Sequence, residues 1–215
     1  MGTAQAGKNT KVSLCGAPVG MVDEPMGAVA PSTYWISTSS KRIIDPRAGV
    51  VVKDDGVTVA EADYTVDHLM GMVYLDSAPT TPVTITADYL PTYELGSARA
   101  LNYVRTRAEL DATPFNTEAV QRILGLADVS GSIEQFEFTD QTIGAGESTF
   151  IELIENAEAT VIEIRPDGSP SVIHRAWVLF NQDEMSTSPD AIVEITLNFV
   201  GDQQLGSDRV FSTRN

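Results

Sequence analysis

The stretch Ala191–Val200 restricts this chain more than any other. Val193, Ile195, Leu197 and Phe199 alternate there with Glu194, Thr196 and Asn198. Side chains of an extended strand point to opposite faces with period two. The stretch therefore predicts a strand with one dry face and one wet, partly acidic face. The pattern alone fits a face in bulk solvent, the common case for an antiparallel sheet. It also fits the wall of a channel shared by several copies.

Further strands are predicted along the chain. Lys11–Cys15 reads as a first strand and Thr33–Ser37 as a short one. Between them, Gly16–Ser32 holds three prolines and three glycines and reads as a loop. Lys41–Pro91 is hairpin-rich. Gly49–Lys53 and Val57–Val59 flank the tight turn Asp54-Asp55-Gly56, where glycine takes positive φ freely. Tyr64–Val66 and Gly71–Leu75 form a second hairpin, and Val83–Tyr89 alternates cleanly. Glu94–Arg107 alternates weakly and places Arg105 and Arg107 on one face. They suit pairing with carboxylates of a neighbouring copy, or an exposed face where such pairs contribute little.

Two short helices are expected. Asn116 caps the first, with Val120, Ile123 and Leu124 as its stripe and Gly125 as its stop. Thr149 and Glu152 make a capping box for the second, which runs to Ala157. Gly131–Phe138, Thr160–Arg165 and Ser171–Phe180 are strands, and Gly201–Asn215 is a polar tail. The sum is an all-β fold with one or two short helices, of sandwich or barrel type. It is read as one domain over residues 1–215, with the hairpin-rich stretch at about 41–91 as an excursion.

Composition excludes several functions. The net charge is −16. Such a surface repels nucleic-acid phosphates. Between Ala108 and Glu163 stand twelve acidic residues and a single basic one, Arg122. The one cysteine, Cys15, allows no intrachain disulfide and reads as a small core residue. The start lacks an apolar signal core, and no apolar run reaches the length of a membrane span. Synthesis in a cytoplasm is expected.

Catalytic and metal-binding patterns are scarce. His68 and His174 lie far apart without zinc-like spacing. Asp67-His68 reads as a polar turn, and His174 as packing beside Trp177 and Phe180. Asp54, Asp55, Asp63 and Asp67 match no calcium-loop spacing. Gly144–Thr149 lacks the lysine of a phosphate loop, and no Gly-x-Ser-x-Gly elbow occurs. No cofactor, metal or catalytic residue is assigned, and an enzyme is not expected.

The stretch Arg105–Phe138 resembles the middle of tail tube proteins of long-tailed bacteriophages. There a strand, a Thr-rich turn and a short helix precede the phrase Gly-Leu-x-Asp-x-Ser-Gly-Ser and a returning strand. The phrase stands here as Gly125-Leu126-Ala127-Asp128-Val129-Ser130-Gly131-Ser132. The later helix and the strands Thr160–Arg165, Trp177–Phe180 and Ala191–Val200 also look like that family. Lys41–Tyr89 resembles a segment seen in many phage virion proteins, through Val50–Gly56, Asp63–Asp67 and Gly71–Val73. The likeness spans most of Lys11–Val200. The segment Lys41–Pro91 makes the chain larger than a minimal tube subunit.

The resemblance implies a β-sandwich-like subunit that closes into homohexameric rings. The rings stack into a hollow tube that carries DNA from capsid to host. Partners would be further copies of the chain, tail terminator and tail tip proteins, and passing DNA that is not specifically bound. No membrane is involved, and the site of action is the virion tail. On wet strand faces, Glu134, Glu137 and Glu194 are candidates for an acidic lining that keeps DNA from sticking. Arg105 and Arg107 are candidate inter-subunit contacts. The alternative is a virion surface, host-attachment or tail decoration protein, which predicts exposed aromatics around Tyr34, Trp35 or Tyr74.

Overall fold

The computed structural model of the chain describes residues 10–95, 98–111, 122–136, 158–166, 172–186, 194–202 and 211–214. Strands follow one another as β1 (Lys11–Cys15), β2 (Val19–Ala30), β3 (Thr33–Ile36), β4 (Val51–Asp54) and β5 (Val57–Thr58). Next come β6 (Tyr64–Asp67), β7 (Met72–Leu75), β8 (Val83–Tyr89), β9 (Thr92–Glu94) and β10 (Ala98–Asp111). The last are β11 (Arg122–Phe136), β12 (Thr160–Arg165), β13 (Ile173–Ser186), β14 (Glu194–Gly201) and β15 (Phe211–Arg214). The fold is all-β, and its strand pairings are antiparallel.

The strands build two sheets. The first has eight strands in the order β10-β11-β14-β13-β12-β1-β9, with β15 beside β13. The second has seven strands in the order β5-β4-β8-β2-β3-β7-β6. It is made wholly from the chain between β1 and β9. The excursion expected at 41–91 contributes β4 to β8, and β2 and β3 join them in the same sheet.

The first sheet rolls around one core. Val12 and Leu14 of β1, Val129 and Ile133 of β11, and Ile162 and Ile164 of β12 meet there. Ala176, Val178 and Phe180 of β13 and Leu197 and Phe199 of β14 complete it. Tyr93 of β9 and Leu101 and Tyr103 of β10 pack on the same core, although β9 and β10 are the two ends of the sheet. A sheet whose ends share a core is curled on itself. The rings of Tyr103 and His174, 6.3 Å apart, mark where β10 approaches the start of β13. The second sheet has its own core, including Met21, Ile36, Ile44, Val52, Val73, Val83 and Ile85.

The alternation of β14 is as the sequence predicts. Leu197 and Phe199 are buried, while Thr196 and Asn198 are partly exposed. Strands β1, β8 and β12 coincide with their expected ranges. Four expectations are corrected. Gly16–Ser32 is not a loop, because β2 occupies most of it. Two register shifts, at Met21/Glu24 and Ala28/Ala30, and a positive φ of 49° at Asp23 absorb what its glycines and prolines would break. Glu94–Arg107 is divided between β9 and β10. The first helix does not run to Gly125, since Ile123 and Leu124 pair with Leu110 and Glu109 in the β10–β11 ladder. A strand partner satisfied the backbone there, and three apolar residues at helical spacing did not decide against it. The polar tail contains β15, whose residues 211–214 pair with β13. The second helix, Thr149–Ala157, lies outside the described residues, as does the first part of the first.

Candidate functional site

The wall formed by β10, β11 and β14 has the character expected of a polar face. On β11, Val129 and Ile133 point into the core, so Asp128, Ser130, Ser132 and Glu134 point away from it. Register carries this face across the sheet. Ser132 lies between Asn102 and Asn198, and Glu134 lies opposite Thr196. Ser130 lies between Val104 and Val200, both exposed. The result is a surface of hydroxyls and amides with two exposed valines and two carboxylates, Asp128 and Glu134. Among the described residues of this face none is basic.

Of the three acids singled out in sequence, Glu134 is exposed on this wall. The backbone of Glu194 is paired with Phe136 at the start of β14. Glu137 lies outside the described residues. Asp128 shares the face of Glu134, although the sequence pattern predicts a strand only from Gly131.

Arg105 and Arg107 are exposed on β10. They share the side of Leu101 and Tyr103, opposite to Asn102 and Val104. The Arg105 guanidinium lies 5.9 Å from the Tyr103 ring centre. Here β10 and β11 run beyond the rest of the sheet. Their ladder continues to Asp111 opposite Arg122, whereas the β11–β14 ladder stops at Ser130 opposite Val200. The two strands thus form an arm, on which Thr106, Arg107, Ala108 and Glu109 are exposed.

Gly131 fits this wall because two strands crowd it. A Cβ there would lie 2.0 Å from the Asn102 carbonyl oxygen and 2.6 Å from Cζ of Phe199. The glycine of the Ser-Gly-Ser phrase thus lets β10 approach and the Phe199 ring lie over the backbone.

A second constellation lies on β1, β12 and β13. Glu163 and Arg175 are cross-strand partners and are 1% and 4% exposed. Arg175 Nε donates to Glu163 Oε2 at 2.7 Å, and Nη1 donates to the Leu69 carbonyl of the second sheet's unit at 2.6 Å. Arg165 Nη2 lies 2.6 Å from Glu163 Oε1. Around this polar centre Cys15, Val161 and Trp177 pack on Ile43, Leu69 and Leu90. The apolar seam and the buried charges join the two sheets. Nothing in the sequence pattern singled out Glu163 or Arg175, since only the register makes them neighbours.

Other candidates have structural roles. Asp54 accepts from the Thr80 and Thr81 amides, each at 2.8 Å, and Asp67 accepts from Met70 N at 3.1 Å. Asp45, buried, accepts from the Arg47 amide, Nε and Nη2. Glu24 accepts from Lys41 and Thr38. These hydrogen bonds, together with the Lys41 charge, hold its carboxyl below the usual carboxylate range. Among the described residues no three His, Cys, Asp or Glu side chains gather as a metal site would need. Burial pushes the Cys15 thiol far above its ordinary range, against the smaller pull of Arg175. His174 is half-buried against Tyr103, and its pKa is lowered by burial first and by the Arg105 charge second. Of the aromatics tied to a host-contact role, Tyr34 is buried, while Trp35 and Tyr74 are partly exposed. The Arg42 guanidinium stacks 4.0 Å from the Trp35 ring centre. Among the described residues no helix is long and apolar enough to cross a membrane.

No protein-family model and no curated protein matches the chain. Solved structures are similar to it over part of its length, two of them from gene transfer agent particles. One is the tail of an empty GTA particle with C6 symmetry, 14% identical, covering 58% of this chain and 87% of that one, with a TM-score of 0.44. The other is the virion of a native gene transfer agent particle, 15% identical, covering 58% of this chain and 89% of that one, with a TM-score of 0.41.

Proposed function

We propose that the chain is a structural subunit of a phage-type tail tube. Six copies close into a ring, and rings stack into a hollow conduit through which DNA passes from capsid to host. The observation that carries this is the β10–β11 arm at one edge of the rolled sheet. Long strand edges with free backbone groups invite pairing with another chain. A contact between two different surfaces of identical subunits closes into a ring or repeats along an axis. An edge of this length beside a polar wall suits both kinds of joint.

In this proposal the β10–β11–β14 wall faces the bore. Glu134 and Glu194 line it, and hydroxyls and amides fill much of the space between. Like charge keeps phosphates from adhering, and a wall without lysine or arginine offers them no counterion. Arg105 and Arg107, on the other side of β10, meet carboxylates of a neighbouring subunit. The whole chain acts as one tail tube domain, with the second sheet as its excursion. Tail terminator and tip proteins bound the tube, and the chain acts in the virion after synthesis in the host.

Electron microscopy of the purified chain at high concentration tests this. Rings or tubes about 100 Å across are expected, a size set by six domains of this mass around a pore. A chain that remains solitary at high concentration and in the presence of tail tips would sink the proposal. The half-exposed Trp35 and Tyr74 favour a second reading, a tail decoration or host-attachment protein. It predicts a stable monomer that binds glycans.

A further inference from the structure

We propose that the second sheet stands on the outer wall of the assembled ring, fixed in place, so that its free face meets the surroundings of the tube and never the cargo. This rests on the tube reading above and adds to it the placement of β2 to β8.

The roll of the first sheet sets the geometry. Both of its walls point their inner side chains at one core. Their outer faces therefore look in opposite directions. One outer face, on β10, β11 and β14, carries Ser130, Ser132, Glu134, Thr196 and Asn198. The other, on β1, β12 and the first half of β13, carries Cys15, Val161, Glu163, Arg175 and Trp177. Among the described residues, the second sheet's unit covers the latter, through Ile43, Leu69 and Leu90. If the polar wall faces the bore, the covered wall faces outward and carries the second sheet with it.

Three attachments make this a fixed mount and not a swinging tether. The chain leaves and returns at adjacent points, where Gly16 N donates to Pro91 O at 2.9 Å and Cys15 pairs with Thr92. The apolar seam buries Trp177 to 1% exposure. Arg175 reaches across to the Leu69 carbonyl from a buried ion pair. Rotating the second sheet away would expose Trp177 and leave Arg175 and Glu163 without this cover. A rigid sheet on every subunit also occupies the space in which a coaxial layer of another protein would have to slide.

Thiol labelling of the full chain tests the placement, because the native Cys15 is buried and gives no background. Val57, 70% exposed on β5, is changed to cysteine in one variant. Glu134 is changed to cysteine in another. A maleimide carrying a polyethylene glycol chain too large to enter the bore is added before and after assembly. The expected result is that V57C labels equally in both states, while labelling of E134C is lost on assembly. Protection of V57C in well-formed tubes would overturn the outward placement and leave the tube reading standing. Failure of the unmodified chain to form rings or tubes would overturn the tube reading, and this inference with it.

Discussion

Arg175 faces Glu163 across the β12–β13 pair, and the same guanidinium also holds the Leu69 carbonyl of the other sheet. One side chain thus ties the pairing inside the first sheet to the docking of the second. Removing it leaves a carboxylate at 1% exposure with Arg165 as its remaining ion-pair partner among the described residues. Breaking a buried pair from one side costs about 3–5 kcal/mol, mostly through the charge left behind. Arg175→Met is expected to lower stability by that amount in urea unfolding. The double change E163M/R175M regains part of the loss, retaining about 1–3 kcal/mol for the orphaned Leu69 carbonyl. A double variant no more stable than Arg175→Met would show that the charge pair is not the source of the effect.

Gly131→Ala introduces a methyl where the Asn102 carbonyl already lies 2.0 Å from the Cβ position. The backbone of β10 must move, and overpacking of this kind costs about 1–3 kcal/mol. Loss of stability is expected together with faster amide hydrogen exchange in β10 and β11. Unchanged exchange at Asn102 and Tyr103 would contradict the close approach.

Cys15 and alkaline pH form a third case. Burial raises its pKa in the folded chain, so the thiol stays protonated while the unfolded thiol ionises. The folded state then binds the extra proton, and stability falls as pH rises above the unfolded thiol's value of about 8.5. Burial of Tyr103 acts with the same sign at higher pH. Cys15→Ala is expected to flatten the decline of stability between neutral pH and pH 10 by up to one proton, measured by unfolding across that range. Thiol reagents are expected to react with Cys15 only on unfolding.

His174 titrates the other way. Its folded pKa is lowered, so its contribution is present above the unfolded value of about 6.5 and is lost as pH falls below it. Arg105→Gln removes the smaller of the two causes and is expected to raise the His174 pKa part of the way, as followed by the imidazole proton signals in NMR. No change would mean that the β10 arm does not hold Arg105 near the start of β13.

Much of the fold was legible because period-two alternation survives wherever one strand face is dry. Val83–Tyr89 and the second half of β14 show this. Strand β2 was not legible. Its bulges shift the buried positions from Met21 to Glu24 and Met26, and Pro25 within it and Pro18 and Pro31 beside it read locally as breaks. The polar wall was half legible. Alternation assigns Glu134 and the even-numbered residues of β14 to a wet face, but Asp128 lies between the expected helix stop at Gly125 and the expected strand start at Gly131. The sheet junction was illegible, since pairing between Glu163 and Arg175 is a fact of register, and the contact with Leu69 is a fact of docking. Neither leaves a periodic trace.

The hydrogen bond between Gly16 and Pro91 closes a short neck where the seventy-odd residues between them begin and end side by side. A segment held by such a neck can be exchanged for another folded cartridge without re-threading the remainder. The one scar would be the greasy footprint of Trp177 and Val161, which any replacement would have to blanket or which would have to be made hydrophilic. Variation among relatives of this chain is therefore expected to concentrate between these two residues, with the rolled sheet kept as a common chassis.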